Sequence, residues 1–419
     1  MKITERNLNS KELFNEIFLS HDNFRETKLG SELITYSELI PIIERLRKTN
    51  FFQIETLGKS VEGREIFTIL FGRGKTNILA WSQMHGDEPT ATAALFDLIN
   101  FFSLDNSFAK FKDDLLNEIT FHFVPMVNPD GAEKYQRENA FNIDLNRDAL
   151  RLESYESKIL WDYAEKIQPD FGFNLHDQNS YYTAGRTNKY STISLLAPPI
   201  DHVKSINYTR EKSMQVICKI NDVLSNFIPG QIARYNDDYE PRAFGDNFTK
   251  NGISSILIES GYHKSDLKKE FVRKLNFVAL LSAFHSISEK DFEKVDYTKY
   301  FSIPENEQLL FDLLLRNLTL TYNGNSFKID IGINRKKCLD LDSKKLFFKG
   351  TIAELGDLSI YNGIEEYNMN GFKIEFAKML AVDESANFNL TGKAELKIVN
   401  GSFGDSDSIK SILNGIAIG

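Results

Sequence analysis

Cysteine is nearly missing from this chain: Cys218 and Cys338 are the only two in 419 residues, and they lie far apart. They allow neither a paired-cysteine metal site nor a disulfide framework, and each reads as a small buried hydrophobe. Runs of Lys or Arg are missing too. The balance is acidic, with 50 Lys and Arg against 59 Asp and Glu for a net charge of -9. Nucleic acid is thereby excluded as a main partner, because phosphate binding wants a basic face. No stretch reaches the roughly 18 apolar residues of a membrane-crossing helix. The opening MKITERNLNSKELFNEIF lacks the apolar core of a secretory signal. The chain reads as soluble and cytoplasmic, with no membrane partner and an oligomeric state the pattern leaves open. Internal repeats and low-complexity segments are absent as well.

What is present is ample core material: 42% hydrophobic residues, including 33 Phe, in a chain longer than one ordinary domain needs. Helical apolar spacing covers residues 31–48, with Pro41 as a break or a start. Strands are predicted at 51–58, 65–72, 77–82, 119–125, 171–175 and 254–259. Helices are predicted after Pro89, around 153–167, at about 203–227 and at 266–287. This alternation implies an α/β sheet flanked by helices. From about residue 318 the pattern changes to short strands and turns, and Asn323-Gly324 between two alternating runs signals a hairpin. We therefore expect an α/β domain over residues 1–300 and a smaller all-β domain over 318–419, joined by a connector that includes Pro304.

The chemistry gathers around few residues, since there are only seven His. His85 lies in His85-Gly86-Asp87-Glu88, directly after a buried strand. A His and a Glu three apart, on a loop entering a helix, can converge on one metal ion. Imidazole nitrogen and carboxylate oxygen both suit zinc, and two His plus one Glu is a known catalytic set. His176, just past the strand FGFNL, supplies the third ligand. Ligand type alone also admits iron or cobalt. His85, Glu88, His176, Asn128 and Glu259 all fall at the C-terminal ends of apolar strands, the edge where open α/β sheets bind ligands. Glu259 follows three large apolar residues, so burial raises its pKa and makes it a workable base towards metal-activated water. In Asp144-Leu145-Asn146-Arg147 an Arg fork stands beside an Asn amide, a pair suited to a carboxylate. By contrast, Gly72-Arg73-Gly74-Lys75-Thr76 is no phosphate loop, because the earlier Gly it requires is Ile69.

Taken in order, Val61-Glu62-Gly63-Arg64, His85-Gly86-Asp87-Glu88, Asn128-Pro129-Asp130-Gly131, Asp144-Leu145-Asn146-Arg147, His176 and Glu259-Ser260-Gly261 resemble the zinc carboxypeptidase (funnelin) family over roughly residues 50–290. The resemblance implies a mixed central sheet flanked by helices, Zn2+ held by His85, Glu88 and His176, and a peptide or amino-acid amide substrate with a free carboxylate. It implies that Asp144 orients a zinc-ligating His and that Arg137, nine positions before Asn146, polarises the scissile carbonyl. Asn146 and Arg147 would bind the terminal carboxylate, and Glu259 would serve as general base. For the Tyr that closes over substrate, Tyr235 and Tyr239 both qualify, and Tyr239 is preferred. Arg242 and Asp246 fall where the family's specificity pocket is lined. The implied activity is hydrolysis of a C-terminal peptide or amide bond. The alternatives are a zinc amidohydrolase of the succinylglutamate desuccinylase and aspartoacylase type, acting on N-acyl amino acids, and a non-catalytic binding module on the same fold.

Overall fold

Apolar strands must pair on both sides to satisfy their backbone groups. In the computed structural model, eight strands pair in one open mixed sheet, the inner six on both sides. The structure describes residues 9–375, 380–392, 396–404, 411–413 and 416–418. The chain divides into two units, one formed by residues up to Gln178 and Lys189–Asn306, the other by Asn179–Asn188 and the chain from Glu307 onward.

The first unit opens with β1 (Gln53–Lys59), β2 (Glu65–Gly72), β3 (Thr76–Trp81), β4 (Ile119–Val124) and β5 (Phe171–Asp177). After β6 (Tyr182–Ala184), which belongs to the second unit, come β7 (Ile193–Leu196), β8 (Ile232–Arg234) and β9 (Ser254–Ser260). The order across the sheet is β1-β2-β4-β3-β5-β9-β7-β8. The central pairs β4–β3, β3–β5 and β5–β9 are parallel, while β1–β2, β2–β4 and β9–β7 are antiparallel. β9 is buried at every position, which is why its centre carries the consecutive apolar residues Ile256-Leu257-Ile258 rather than an alternation.

Alternation along the central strands splits the core in two. Phe171, Phe173, Leu175, Ile256 and Ile258 join the larger core with α1 (Ser10–Ser20), α2 (Tyr36–Leu46), α3 (Thr90–Ser103), α4 (Ala109–Glu118) and later α7 (Tyr208–Leu224) and α9 (Glu270–Ser288). Leu79 and Trp81 join the smaller core with α6 (Tyr155–Ile167) and α8 (Phe244–Lys250). A short α5 (Pro129–Lys134) lies between them in sequence. No helix among the described residues is long and apolar enough to cross a membrane.

Several local features differ from the sequence reading. Pro41 neither breaks nor starts its helix: α2 begins at the Thr35 N-cap, closed by a capping box with Glu38, and runs through the proline. Helices α1, α4 and α8 and strands β7 and β8 were not expected. Asn128-Pro129-Asp130-Gly131 is more than a turn, since Asn128 caps α5 through its side chain and Pro129 occupies the first turn. His176 lies inside its strand rather than just past it, and the strand of Glu259 runs one residue beyond it.

The second unit is built on three long antiparallel strands, β11 (Leu310–Tyr322), β12 (Asn325–Asp340) and β13 (Lys345–Gly356), preceded by a short β10 (Asn306–Gln308). Its β-structure thus begins ahead of residue 318. The hairpin closes at Tyr322↔Asn325, with positive φ at both Asn323 and Gly324, the left-handed pair that this turn demands. The segment 179–188 is tied in by Ser180, which donates to Asp312, and by the Leu310 N–H, which donates to the Tyr181 carbonyl.

Within the first unit, one fully buried charge cluster fixes the helices. Arg273 on α9 donates from Nε to Asp97 Oδ2 (2.7 Å) and from Nη2 to Asp97 Oδ1 on α3, and also to the carbonyls of Leu29 and Glu26. His21 and the Glu26 N–H complete the shell of Asp97. Removing one partner leaves an uncompensated interior charge. Asp97→Ala is therefore expected to lower stability by about 3–5 kcal/mol, as read by chemical denaturation. A loss below about 1 kcal/mol would contradict this role.

Candidate metal centre

The site grows out of the C-terminal ends of β3, β5 and β9. Where β3 ends, Gln83 takes a left-handed backbone (φ 43), and its side chain ties the turn to the Ile34 and Gly86 carbonyls. Gly86 lies against α5: a Cβ there would meet the Gly131 carbonyl carbon at 2.0 Å. Only glycine permits that approach. The Glu88 N–H returns to the His85 carbonyl at 3.2 Å, so the two side chains share one side of the turn.

Asn128 locks this loop to the next motif. Its Oδ1 accepts from the Gly131 N–H at 2.9 Å, and its Nδ2 donates to the carbonyls of Met84 and Arg137. Asp130 reaches the other way, accepting from Ser60 Oγ, the Glu62 N–H and Arg64 Nη1. The Val61–Arg64 and Asn128–Gly131 motifs are thus two halves of one structural clasp.

His85, Glu88 and His176, all buried, each present one ligand atom, and these atoms lie within 4.8 Å of one another. Glu88 Oε1 is 2.8 Å from His85 Nδ1, and Glu88 Oε2 is 2.7 Å from His176 Nδ1. The two Nδ1 atoms are themselves 3.2 Å apart. His85 Nε2 faces Asp144 Oδ1 at 3.0 Å. That contact places a proton on Nε2, so a metal ion would be met by Nδ1, which faces Glu88 and His176. Two imidazole nitrogens and a carboxylate thus converge in one buried space. Such a donor set fits zinc.

Arg137 braces the cluster, donating from Nε and Nη2 to Asp144 Oδ2 (3.1 and 3.0 Å) and from Nη1 to Glu88 Oε1 (3.2 Å). Asp144 also accepts from the Asn146 N–H at 2.9 Å. Burial opposes the Asp144 carboxylate, but the His85 hydrogen bond and the nearby arginines hold it well below its usual range. For His85, burial pulls downward, and the Glu88 charge with the Asp144 hydrogen bond outweighs it, leaving the imidazole at about 9. Burial moves His176 downward against the pull of Glu88.

Glu259 stands directly opposite His176 in the β5–β9 register, so both side chains emerge on one face of the sheet. It is only 7% exposed, and its Oε2 has no hydrogen-bond partner. Burial, reinforced by the Glu88 charge, raises it well above the usual carboxylate range.

The outer residues divide. Asn146 is buried, and its Oδ1 accepts from the Phe244 N–H at 2.9 Å. Arg147 is 39% exposed and pairs with Glu240 at 3.3 Å. Arg242 grips the same Glu240, and Asp246 accepts from the Glu240 N–H, with its carboxyl pushed up to about 7 by burial. Tyr239 packs edge-on against His202, ring centroids 4.9 Å apart, and among the described residues no hydrogen bond joins it to the metal cluster. Asp177 escaped the sequence reading. Its N–H donates to Glu88 Oε2 (3.1 Å), and its carboxylate is held by Thr90 and Lys269. Adjacency to His176 was its only signal, because Lys269 lies far along the chain.

Residues 42–207 match the family model described as zinc carboxypeptidase. This stretch of the chain is similar to the zinc carboxypeptidase family. The chain is 26% identical over 157 residues to "Probable carboxypeptidase 2" of Trichophyton verrucosum, covering 35% of this chain and 29% of that protein. It is 31% identical over 114 residues to human "Carboxypeptidase D", covering 23% of this chain and 8% of that protein. The chain therefore spans well under half of these relatives. Among solved structures, a metallo-carboxypeptidase from Burkholderia cenocepacia shares the fold at a TM-score of 0.52 and 18% identity, over 62% of this chain and 70% of that one. Thrombin activatable fibrinolysis inhibitor shares it at 0.51 and 14%, over 67% and 81%. These matches lend no weight to the N-acyl amino acid alternative.

If Asp144 fixes the His85 tautomer, Asp144→Asn will weaken zinc affinity by about 10–100-fold, measured by competition with a chromophoric chelator. Unchanged affinity would show that His85 is oriented by something else.

Proposed function

We propose that the first unit is a zinc-dependent metallocarboxypeptidase that hydrolyses the C-terminal peptide or amide bond of a substrate with a free carboxylate. The observation that carries this reading is the buried convergence of His85, Glu88 and His176, with Glu259 opposite His176 across the strand pair. The match of residues 42–207 to the zinc carboxypeptidase model supports it.

His85, Glu88 and His176 would hold the ion. Zinc, when bound, supplies Lewis-acid polarisation of the scissile carbonyl and acidifies water at neutral pH. Glu259, desolvated and unpartnered at Oε2, accepts the proton of the attacking water. It then delivers that proton to the leaving nitrogen as the C–N bond breaks, so the same carboxyl acts as base and then as acid. Arg137 keeps part of its guanidinium exposed while Asp144 and Glu88 fix its orientation, and it stabilises the oxyanion that develops on the carbonyl oxygen. Asn146 and Arg147 receive the terminal carboxylate, the guanidinium by its fork. Tyr239 is retained as the residue that closes over substrate.

Loss of a positioned general base typically costs 10²–10⁴-fold in rate. Glu259→Gln should therefore lower kcat at least about 100-fold while zinc content stays at the wild-type level. Peptides with free C-termini should be cleaved and their C-terminal amides spared, as followed by chromatography of the products. Near-normal turnover by the variant, or equal cleavage of blocked peptides, would contradict the assignment.

A further inference from the structure

Arg147, which the proposed function assigns to the substrate's terminal carboxylate, already faces a carboxylate of its own chain. Its Nε lies 3.3 Å from Glu240 Oε2, while its Nη1 donates to the Asn146 carbonyl at 2.8 Å. Glu240 is held far more firmly from the other side. Arg242 donates from Nε to Oε1 (2.8 Å) and from Nη2 to Oε2 (2.6 Å), and the Arg242 N–H adds a third bond to Oε1 at 3.1 Å. The Glu240 N–H is in turn anchored on Asp246 Oδ1 at 3.0 Å.

We propose that Glu240 is an internal occupant of the Arg147 carboxylate subsite, displaced by the substrate's terminal carboxylate and thereby setting the affinity for it. This rests on the assignment of Arg147 given above. The asymmetry of the contacts carries the inference. The Arg147–Glu240 contact is single and long, whereas the Arg242–Glu240 contact is bidentate. When an incoming carboxylate takes Arg147, Glu240 keeps a full partner in Arg242 and is never left uncompensated. Both members of the Arg147 pair are partly exposed, at 39% and 28%, so exchange requires no dehydration of a buried charge. The competition is correspondingly modest, because exposed pairs contribute little. A Glu240 that served only to orient Arg147 would act with the opposite sign, since its removal would weaken carboxylate binding.

The test is calorimetric titration of the purified full chain with N-acetylalanine, with N-acetylalaninamide as the uncharged control. Glu240→Gln should bind N-acetylalanine about three- to five-fold more tightly than wild type and leave the amide unchanged. Arg242→Gln, which deprives Glu240 of its second partner, should weaken N-acetylalanine binding, and this gives an independent sign. Equal or weaker binding by Glu240→Gln would overturn the proposal. If Arg147→Gln binds N-acetylalanine as well as wild type does, the assignment of Arg147 itself fails and the competition falls with it.

Discussion

Two imidazole nitrogens 3.2 Å apart, each within 2.8 Å of a buried carboxylate, form an arrangement that an apolar interior does not support by itself. A buried carboxylate is costly unless positive charge meets it. Around this point the chain has assembled compensating groups. Asp144 holds the proton on the far side of His85, and Arg137 spans Asp144 and Glu88. The Asp177 N–H supports the second oxygen of Glu88, while Lys269 and Thr90 hold the Asp177 side chain. The pattern makes sense as the housing of a cation, with donors inside and an oriented shell outside.

The rest of the first unit is arranged to hold that housing still. Parallel pairing of β5 with β9 sets His176 opposite Glu259, with no loop whose movement could separate them. Close contact between Gly86 and α5, together with the Asn128 bridge, sets the His85–Glu88 turn against the segment that carries Arg137. Behind the sheet, the Asp97–Arg273 cluster fastens α3, the helix that follows Glu88, to α9. Rigid elements give a metal site its precision, and here each ligand sits on a strand end or on a clasped turn.

Much of this was legible from residue order. Apolar runs followed by His or Glu marked the strand edge, and the spacing of His85 and Glu88 with a distant His176 pointed to three side chains that the structure brings within 4.8 Å of one another. The hairpin at Asn323-Gly324 was legible because its turn demands left-handed residues. The features that escaped depend on partners remote in sequence. Nothing local says that Lys269 supports Asp177, that Asp97 meets Arg273, or that Glu240 reaches Arg147. Helix α2 continues through Pro41 because its capping box and buried face outweigh one missing hydrogen bond, a balance that the proline alone does not reveal. Tyr239 was placed by its distance from Glu259 along the chain, whereas the structure packs it on His202.

The central claim is that His85, Glu88 and His176 together form a metal centre. Elemental analysis of the purified protein and of His176→Ala tests it most directly. The account predicts about one zinc per chain in the native protein, lost in the variant while the fold persists by circular dichroism. Native protein that stays metal-free after reloading with zinc, or a variant that keeps its zinc, would contradict it.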